Sequence, residues 1–417
     1  MLKGNTFVKR IAVGETVIPS YAGASAILGV LRMRAGLSFC KCGQIARLLV
    51  LKSVLACLVL LSGALTCWVG ADEFSMPPMT RYAEQIKGRP LAIGFYVNWD
   101  FGSYTSLKNY IKNLDWVVPS WLYLRGEAMD LKTSLDLKAL DLIQTEKPET
   151  RIFAMIQNAD AGEWDGVNLA RLLADPVSRR QRISDIVSFL ETYRLQGIVI
   201  DFEQIASAAQ TDLISFVSEV HATFKERGWL VSVAVPIDDP SYDYAAYAKA
   251  SDYLILMGYD EHWSTGDPGP IASHDWFSTC LESRMRGIDP SQIIVAIGNY
   301  GYDWTSGVKG AQALTYPEAM QRAHDVNTTV GLDPSSLNPT YSYSHDGKMH
   351  QVWFLNAEAA YYQLQTAESF RPSGYALWRL GAEDPAIWSV LPHSYGALPP
   401  PVTVKRLKDV SVTTAVD

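Results

Sequence analysis

The stretch Gln196–Glu203, QGIVIDFE, is a solid apolar run that ends in two carboxylates two residues apart. Side chains on a β-strand alternate between faces. Ile198, Ile200 and Phe202 therefore share one face, bulky and apolar, suited to packing under helices. Val199, Asp201 and Glu203 share the other face and point into whatever the strand encloses. A run this continuous in apolar character is the signature of a parallel strand covered on both sides. Carboxylates are rarely buried without partners. Glu203 closes the strand, at the carboxyl end where active sites of closed α/β barrels sit.

Seven more runs have the same character: LAIGFYVNW (91–99), WVVPSWLYL (116–124), RIFAMIQN (151–158), LVSVAVP (230–236), YLILMGYD (253–260), IIVAIGNYGYDW (293–304) and GYALWRL (374–380). Amphipathic, helix-like segments such as 168–194 and 206–227 lie between them. Eight strands, each followed by a helix, predict a (β/α)8 TIM barrel over 90–395 rather than an open doubly wound sheet. No glycine-rich dinucleotide or phosphate loop follows the first run. The gap between the seventh and eighth runs is too long for one crossover. It predicts a small insertion at about 305–370, forming one wall of the cleft. A helix near Tyr316–His324 and a hairpin turning at Asp346-Gly347 are expected within it.

The 417 residues are 48% hydrophobic, which suffices for a core of this size, and 11% aromatic. Aromatic rings pack cores, but they also stack on the apolar faces of sugars. The net charge of −8, with no basic block, argues against a nucleic-acid partner. Four of the five cysteines lie at positions 40, 42, 57 and 67, leaving Cys280 alone in the rest of the chain. Residues 53–71 are almost entirely apolar and follow Arg47 and Lys52. Segment 1–71 is thus expected to be a signal peptide or a membrane anchor, with the remainder secreted or periplasmic, or held at the inner membrane. A polar linker is expected at 72–89 and a Pro-rich, then polar tail at 396–417.

Two carboxylates pointing into one barrel raise each other's pKa, and most strongly that of the more desolvated group. One protonated carboxyl beside one ionised carboxylate is what a general acid needs. The competing reading is an internal ion pair, for which Arg379 is the obvious basic partner. Asn158, Tyr300, Tyr302 and Trp263, with Glu261 and His262, fall where rim loops are expected and are candidate sugar contacts; loop packing is the other reading. His345 and His350 are expected on the surface of the hairpin. No His/Cys cluster suggests a metal, and no cofactor is implied.

These residues resemble the strand-four signature of glycoside hydrolase family 18, Asp-Gly-x-Asp-x-Asp-x-Glu. Gly197, Asp201 and Glu203 match it; Gln196 and Val199 stand where the signature has its first and middle Asp. Met257-Gly258-Tyr259-Asp260 resembles the family's Met-x-Tyr-Asp, and Trp378 its strand-eight Trp. The phrases GFYVNWD, YDEHWSTGDPGP and ALWRLGAEDP are similar to the branch of spore-cortex glucosaminidases. They also resemble barrels fused to deacetylase and glycosyltransferase modules of bacterial exopolysaccharide systems. The resemblance implies a retaining, substrate-assisted cleavage of β-linked N-acetylglucosamine polysaccharide; the enzyme is expected to be a monomer. Glu203 would protonate the leaving oxygen, Asp201 would hold the acetamido N–H, and Tyr259 would bind its oxygen. Asp260 would orient that group, and Trp378 would stack under the sugar. Valine at 199 implies that Asp201 lacks the resting partner the family gives it and stays directed at Glu203. With two signature positions changed, a non-catalytic carbohydrate-binding barrel is the alternative, and a scaffolding role in polysaccharide synthesis or export is a third reading.

Overall fold

The computed structural model describes residues 88–160 and 162–391. The expected signal or anchor, nearly all of the expected linker and the expected tail lie outside the described residues. Among the described residues, no helix is long and apolar enough to cross a membrane.

Eight parallel strands form the barrel: β1 (Leu91–Tyr96), β2 (Trp116–Arg125), β3 (Arg151–Gln157), β4 (Gly197–Asp201), β5 (Leu230–Pro236), β6 (Tyr253–Met257), β7 (Ile293–Gly298) and β8 (Gly374–Trp378). Each pairs with the next in sequence. Closure comes from β1, which pairs in parallel with β8 through Leu91 and Gly374 and with β2 through Ile93 and Trp116. Helices follow the strands and cover the outside, including Pro176–Tyr193, Gln210–Lys225 and His274–Met285. Their starts are capped locally: the Asp136 carboxylate accepts from the backbone N–H groups of Lys138 and Ala139. Asp175 does the same for Val177 and Ser178, with Pro176 in the first turn, where its missing N–H is harmless.

The alternation read in QGIVIDFE holds. Ile198, Ile200 and Phe202 lie in the outer core against the helices. Val199 is fully buried in the inner core with Phe95, Phe153, Met155 and Ile255. Burying a side chain of this kind contributes roughly 1.5–3 kcal/mol. Gly197 shows how the floor is packed. A Cβ there would sit 2.4 Å from the Phe153 ring and 2.5 Å from the Leu230 carbonyl oxygen. Only glycine lets Phe153 stack on Trp116, at 4.2 Å between ring centroids.

The run 293–304 is two strands. Strand β7 ends at Gly298, and after Asn299 the chain continues as Tyr300–Thr305 in a separate antiparallel sheet. That sheet also holds Gln312–Thr315, Gly331–Leu332, Pro339–His345 and Lys348–Phe354. The insertion thus starts at Tyr300 and its sheet ends at Phe354, both earlier than the expected 305–370. Helix Ala357–Glu368 buries Ala360, Leu364 and Ala367 in the outer barrel core, so it is the helix that links β7 to β8. The expected helix spans Tyr316–Asp325. The hairpin turns as expected at Asp346 (φ 49°) and Gly347 (φ 73°), the left-handed pair of a type I′ turn. His345 is exposed, but His350 is not a surface residue. It stacks on Tyr343 and contacts Asp303 at 2.9 Å. Asp303, only 2% exposed, also accepts from Arg322 at 2.5 Å and Tyr343 at 2.6 Å. A carboxylate buried in the small sheet collects these partners, which sequence alone did not reveal.

Candidate active site

Asp201 and Glu203 stand at the carboxyl end of β4, on the inward face. Asp201 is 4% exposed and Glu203 is partly buried. Burial pushes the Asp201 carboxyl up to about 6, while a hydrogen bond from Gln157 holds it down. Glu203 is raised well above the ordinary range, first by burial and then by the negative charges of Asp201 and Asp260. Both carboxyls are raised, but Glu203 has two negative neighbours and Asp201 a hydrogen-bond donor, which favours the proton on Glu203 and the charge on Asp201. That division of labour is what acid catalysis requires. The competing ion-pair reading does not hold for Arg379, which pairs with Asp100.

The expectation that Asp201 would lack a resting partner is corrected. The Gln157 amide Nε2 donates to Asp201 Oδ2 at 2.8 Å. The two residues are register partners across β3 and β4. Its other oxygen, Oδ1, is buried and has no hydrogen-bond partner. Gln157 was missed as a site residue, although it shares the inward parity of Phe153 and Met155. Gln196, the other departure from the signature, has a backbone role at the opposite end of the strand. Its Oε1 accepts from the Ile152 N–H at 2.8 Å, and its own N–H donates to the Ile152 carbonyl at 3.1 Å.

Tyr259 and Asp260 follow β6 on the same rim. Burial, then the charges of Asp201, Asp260 and Glu203, drive the Tyr259 phenol far up, so it is a hydrogen-bond donor at any working pH. Asp260 has φ 65°, a left-handed conformation that Asp tolerates and that often marks a working site. Its carboxylate is raised by burial and held down by hydrogen bonds from the phenols of Tyr300, at short distance, and Tyr302, at 3.4 Å. The rings of Tyr259, Tyr300, Tyr302 and Trp304 step along in edge contacts of 5.4 to 5.9 Å. Trp378, partly buried, packs its ring edge-on to Phe95 at 5.3 Å. A recess of about 230 Å³ is lined by Asp260, Tyr300, Tyr302, Trp378, Arg379 and Glu318 among others. The structure therefore brings together Asp201, Glu203, Tyr259, Asp260, Tyr300, Tyr302 and Trp378.

The other candidates have partners of their own within the fold. Asn158 is fully buried; its Nδ2 donates to the Glu203 carbonyl and its Oδ1 accepts from the Glu203 N–H, both at 2.9 Å. Both ends of the amide are occupied by backbone, so Asn158 fixes Glu203 rather than touching sugar. Trp263 is 53% exposed, and its indole N–H bonds Thr265 within its own loop. Glu261 accepts from Ser273 N–H and Oγ at the start of a helix, and His262 contacts the Pro270 carbonyl. Both are loop packing. Among the described residues, no group of three or more His, Cys, Asp or Glu side chains is placed to hold a metal ion.

Comparison with known proteins agrees with this architecture. Residues 92–383 match the family described as glycosyl hydrolases family 18. The uncharacterized glycosylase YvbX of Bacillus subtilis is 24% identical over 323 residues, 73% of this chain and 92% of that protein. A cortical fragment-lytic enzyme of Bacillus subtilis is 23% identical, over 61% of this chain and 62% of that protein. Human di-N-acetylchitobiase is 24% identical, over 51% of this chain and 64% of its own length. Thus the chain spans less than two thirds of the latter two relatives. Among solved structures, the spore cortex-lytic enzyme SleL of Bacillus cereus superposes with a TM-score of 0.64 at 20% identity. That match covers 72% of this chain and 74% of SleL. A chitinase from Chromobacterium violaceum superposes with a TM-score of 0.65 at 24% identity, covering 72% of this chain and 97% of the other. These structural likenesses show the barrel fold.

Proposed function

The chain belongs to glycosyl hydrolase family 18 and is a glycosidase, and on that premise we propose that it cleaves β-linked N-acetylglucosamine polysaccharide by a retaining, substrate-assisted route. Glu203 donates its proton to the glycosidic oxygen as the bond to the anomeric carbon breaks. The carbonyl oxygen of the sugar's own 2-acetamido group takes the enzyme nucleophile's usual place at that carbon. Water then opens the oxazolinium intermediate, losing a proton to Glu203, and the anomeric configuration is retained. Asp201 accepts the acetamido N–H and balances the developing positive charge. Tyr259 donates to the acetamido oxygen, and Trp378 stacks under the ring.

One observation carries this reading: Asp201 Oδ1 is buried and unpartnered, two residues from Glu203, whose carboxyl is raised well above its ordinary range by burial and by the charges of Asp201 and Asp260. Buried polar atoms are nearly always paired, and an acceptor left open beside the acid asks for a donor from the ligand. An amide N–H on the sugar supplies it. The names of the cortex-lytic and chitobiase relatives support the same substrate class. The retained Glu203, its carboxyl raised by burial and by neighbouring negative charge, argues against a barrel that only binds. The apolar run 53–71 supports work outside the cytoplasm, as a secreted, periplasmic or anchored enzyme.

The test is hydrolysis of chitooligosaccharides, fully acetylated and with the scissile-side sugar deacetylated, with the product anomer read by NMR. Cleavage of the first only, with the β-anomer released, is expected. Glu203→Gln should lose roughly two to four orders of magnitude in turnover. Equal cleavage of the deacetylated substrate, or an inverted product, would sink the mechanism.

A further inference from the structure

We infer that Gln157 is the positioning residue of the acid pair: from the neighbouring strand it does the work of the missing carboxylate at 199, holding Asp201 ionised by one oxygen so that the other faces the substrate. The inference rests on the function proposed above.

The geometry is a relay anchored in β2 and β3. The Ser120 hydroxyl, fully buried, donates to Gln157 Oε1 at 2.7 Å. Ser120 is in turn held by the Tyr123 phenol, with 2.9 Å between hydroxyls and 3.0 Å to the Ser120 carbonyl. An ionised carboxylate only accepts, so the NH2 end of the amide faces Asp201, donating to Oδ2 at 2.8 Å, and Oε1 is left for the Ser120 hydroxyl. The orientation of the amide is thus set by chemistry. Val199, paired in register with Met155 and Ser232, offers Asp201 no donor from its own strand.

An amide and a carboxylate differ as partners in one decisive way. A carboxylate at 199 could share a proton with Asp201. Gln157 can only donate, so it takes no proton and favours the ionised form. The titratable groups facing Asp201 are Glu203 just past the end of β4, Tyr259 after β6 and Tyr242 after β5; each is neutral or acidic. Burial raises the Asp201 carboxyl and opposes its charge; the hydrogen bond from Gln157 works the other way and favours the charge. In this chain the pair is therefore set by a fixed neutral donor rather than by a proton passed between aspartates.

The test uses the full chain and N-acetylated chitohexaose. In Gln157→Leu, kcat should fall about ten- to a hundredfold with KM nearly unchanged, and the acid limb of kcat/KM should move up by about one to two pH units. Gln157→Glu, whose introduced carboxyl can share a proton with Asp201, should recover part of that turnover in acid and lose it as pH rises. A third readout needs no turnover: the Asp201 carboxyl, identified by its loss in Asp201→Asn, is titrated by NMR in protein carrying carbon-13-labelled aspartate. Its pKa should rise in Gln157→Leu. An acid limb and carboxyl titration the same as in wild type would overturn the inference. Failure of the wild-type protein to cleave the oligosaccharide would count against the proposed function, and the carboxyl titration would still decide the role of Gln157.

Discussion

Replacing Asn158 with alanine separates holding the acid from being the acid. Asn158 makes two 2.9 Å hydrogen bonds to one residue, donating to the Glu203 carbonyl and accepting from its N–H. It does so with no solvent exposure. The alanine leaves a donor and an acceptor unpaired. Each costs roughly 1–3 kcal/mol, so about 2–6 kcal/mol is lost. For a domain of this size the melting temperature should drop on the order of 10 °C. The same loss frees the Glu203 backbone, so kcat should fall about tenfold or more while KM changes little. Asn158→Asp is the control. It keeps the acceptor for the Glu203 N–H but sets an oxygen against the Glu203 carbonyl, and it should be at least as damaging despite its equal size. Calorimetry gives the melting temperature, and release of methylumbelliferone from a chitobiose glycoside gives turnover. An Asn158→Ala protein that melts with wild type and turns over with wild type would refute the reasoning. A protein that loses stability yet keeps full kcat would reduce Asn158 to a structural role.

Asp201→Asn should be more stable than wild type at pH 7 while losing orders of magnitude in turnover. The folded pKa of about 6 lies above the ordinary 3.8, so the protonated carboxyl stabilises the fold below about pH 4, and that contribution is lost as pH rises through about 6. The buried charge costs about 3 kcal/mol at pH 7. Urea midpoints from pH 4 to 7 should show a steeper fall for wild type than for the variant; parallel curves would contradict this. Tyr300→Phe removes a donor to Asp260, making that carboxyl easier to protonate and weakening the negative charge that raises Glu203. The alkaline limb of kcat/KM should then move to lower pH; a shift to higher pH would contradict the charge coupling.

Much of the barrel was legible because parallel strands bury both faces and leave solid apolar runs, and because 198, 200, 202 and 199, 201, 203 sort cleanly by parity. What escaped depends on register and on partners distant in sequence. Gln157 meets Asp201 only because β3 and β4 pair with Ala154 opposite Ile198, an offset no composition reveals. Asn158 lies at the rim, as read, but its side chain turns to backbone rather than to the cleft. Position on a loop says where a residue is and not what it faces. Val199 suggested a weakness in the pair because compensation from another strand is invisible within one motif. The boundary at Asn299 was missed because β7 and the first insertion strand read as one apolar run.

That same boundary has a consequence for how the enzyme can change. The aromatic wall beginning at Tyr300 is separated from β7 by one residue, Asn299, whose N–H donates to the Trp378 carbonyl at 2.7 Å. The base of the wall is clamped to the barrel beside Trp378, while the far end, at Asp346 and Gly347, is an exposed two-residue turn. Lengthening or shortening the hairpin at that tip leaves the clamp intact. Lineages, or designers, can therefore reshape this outer hairpin without disturbing the carboxylates, and variation in this protein's relatives should concentrate at the tip.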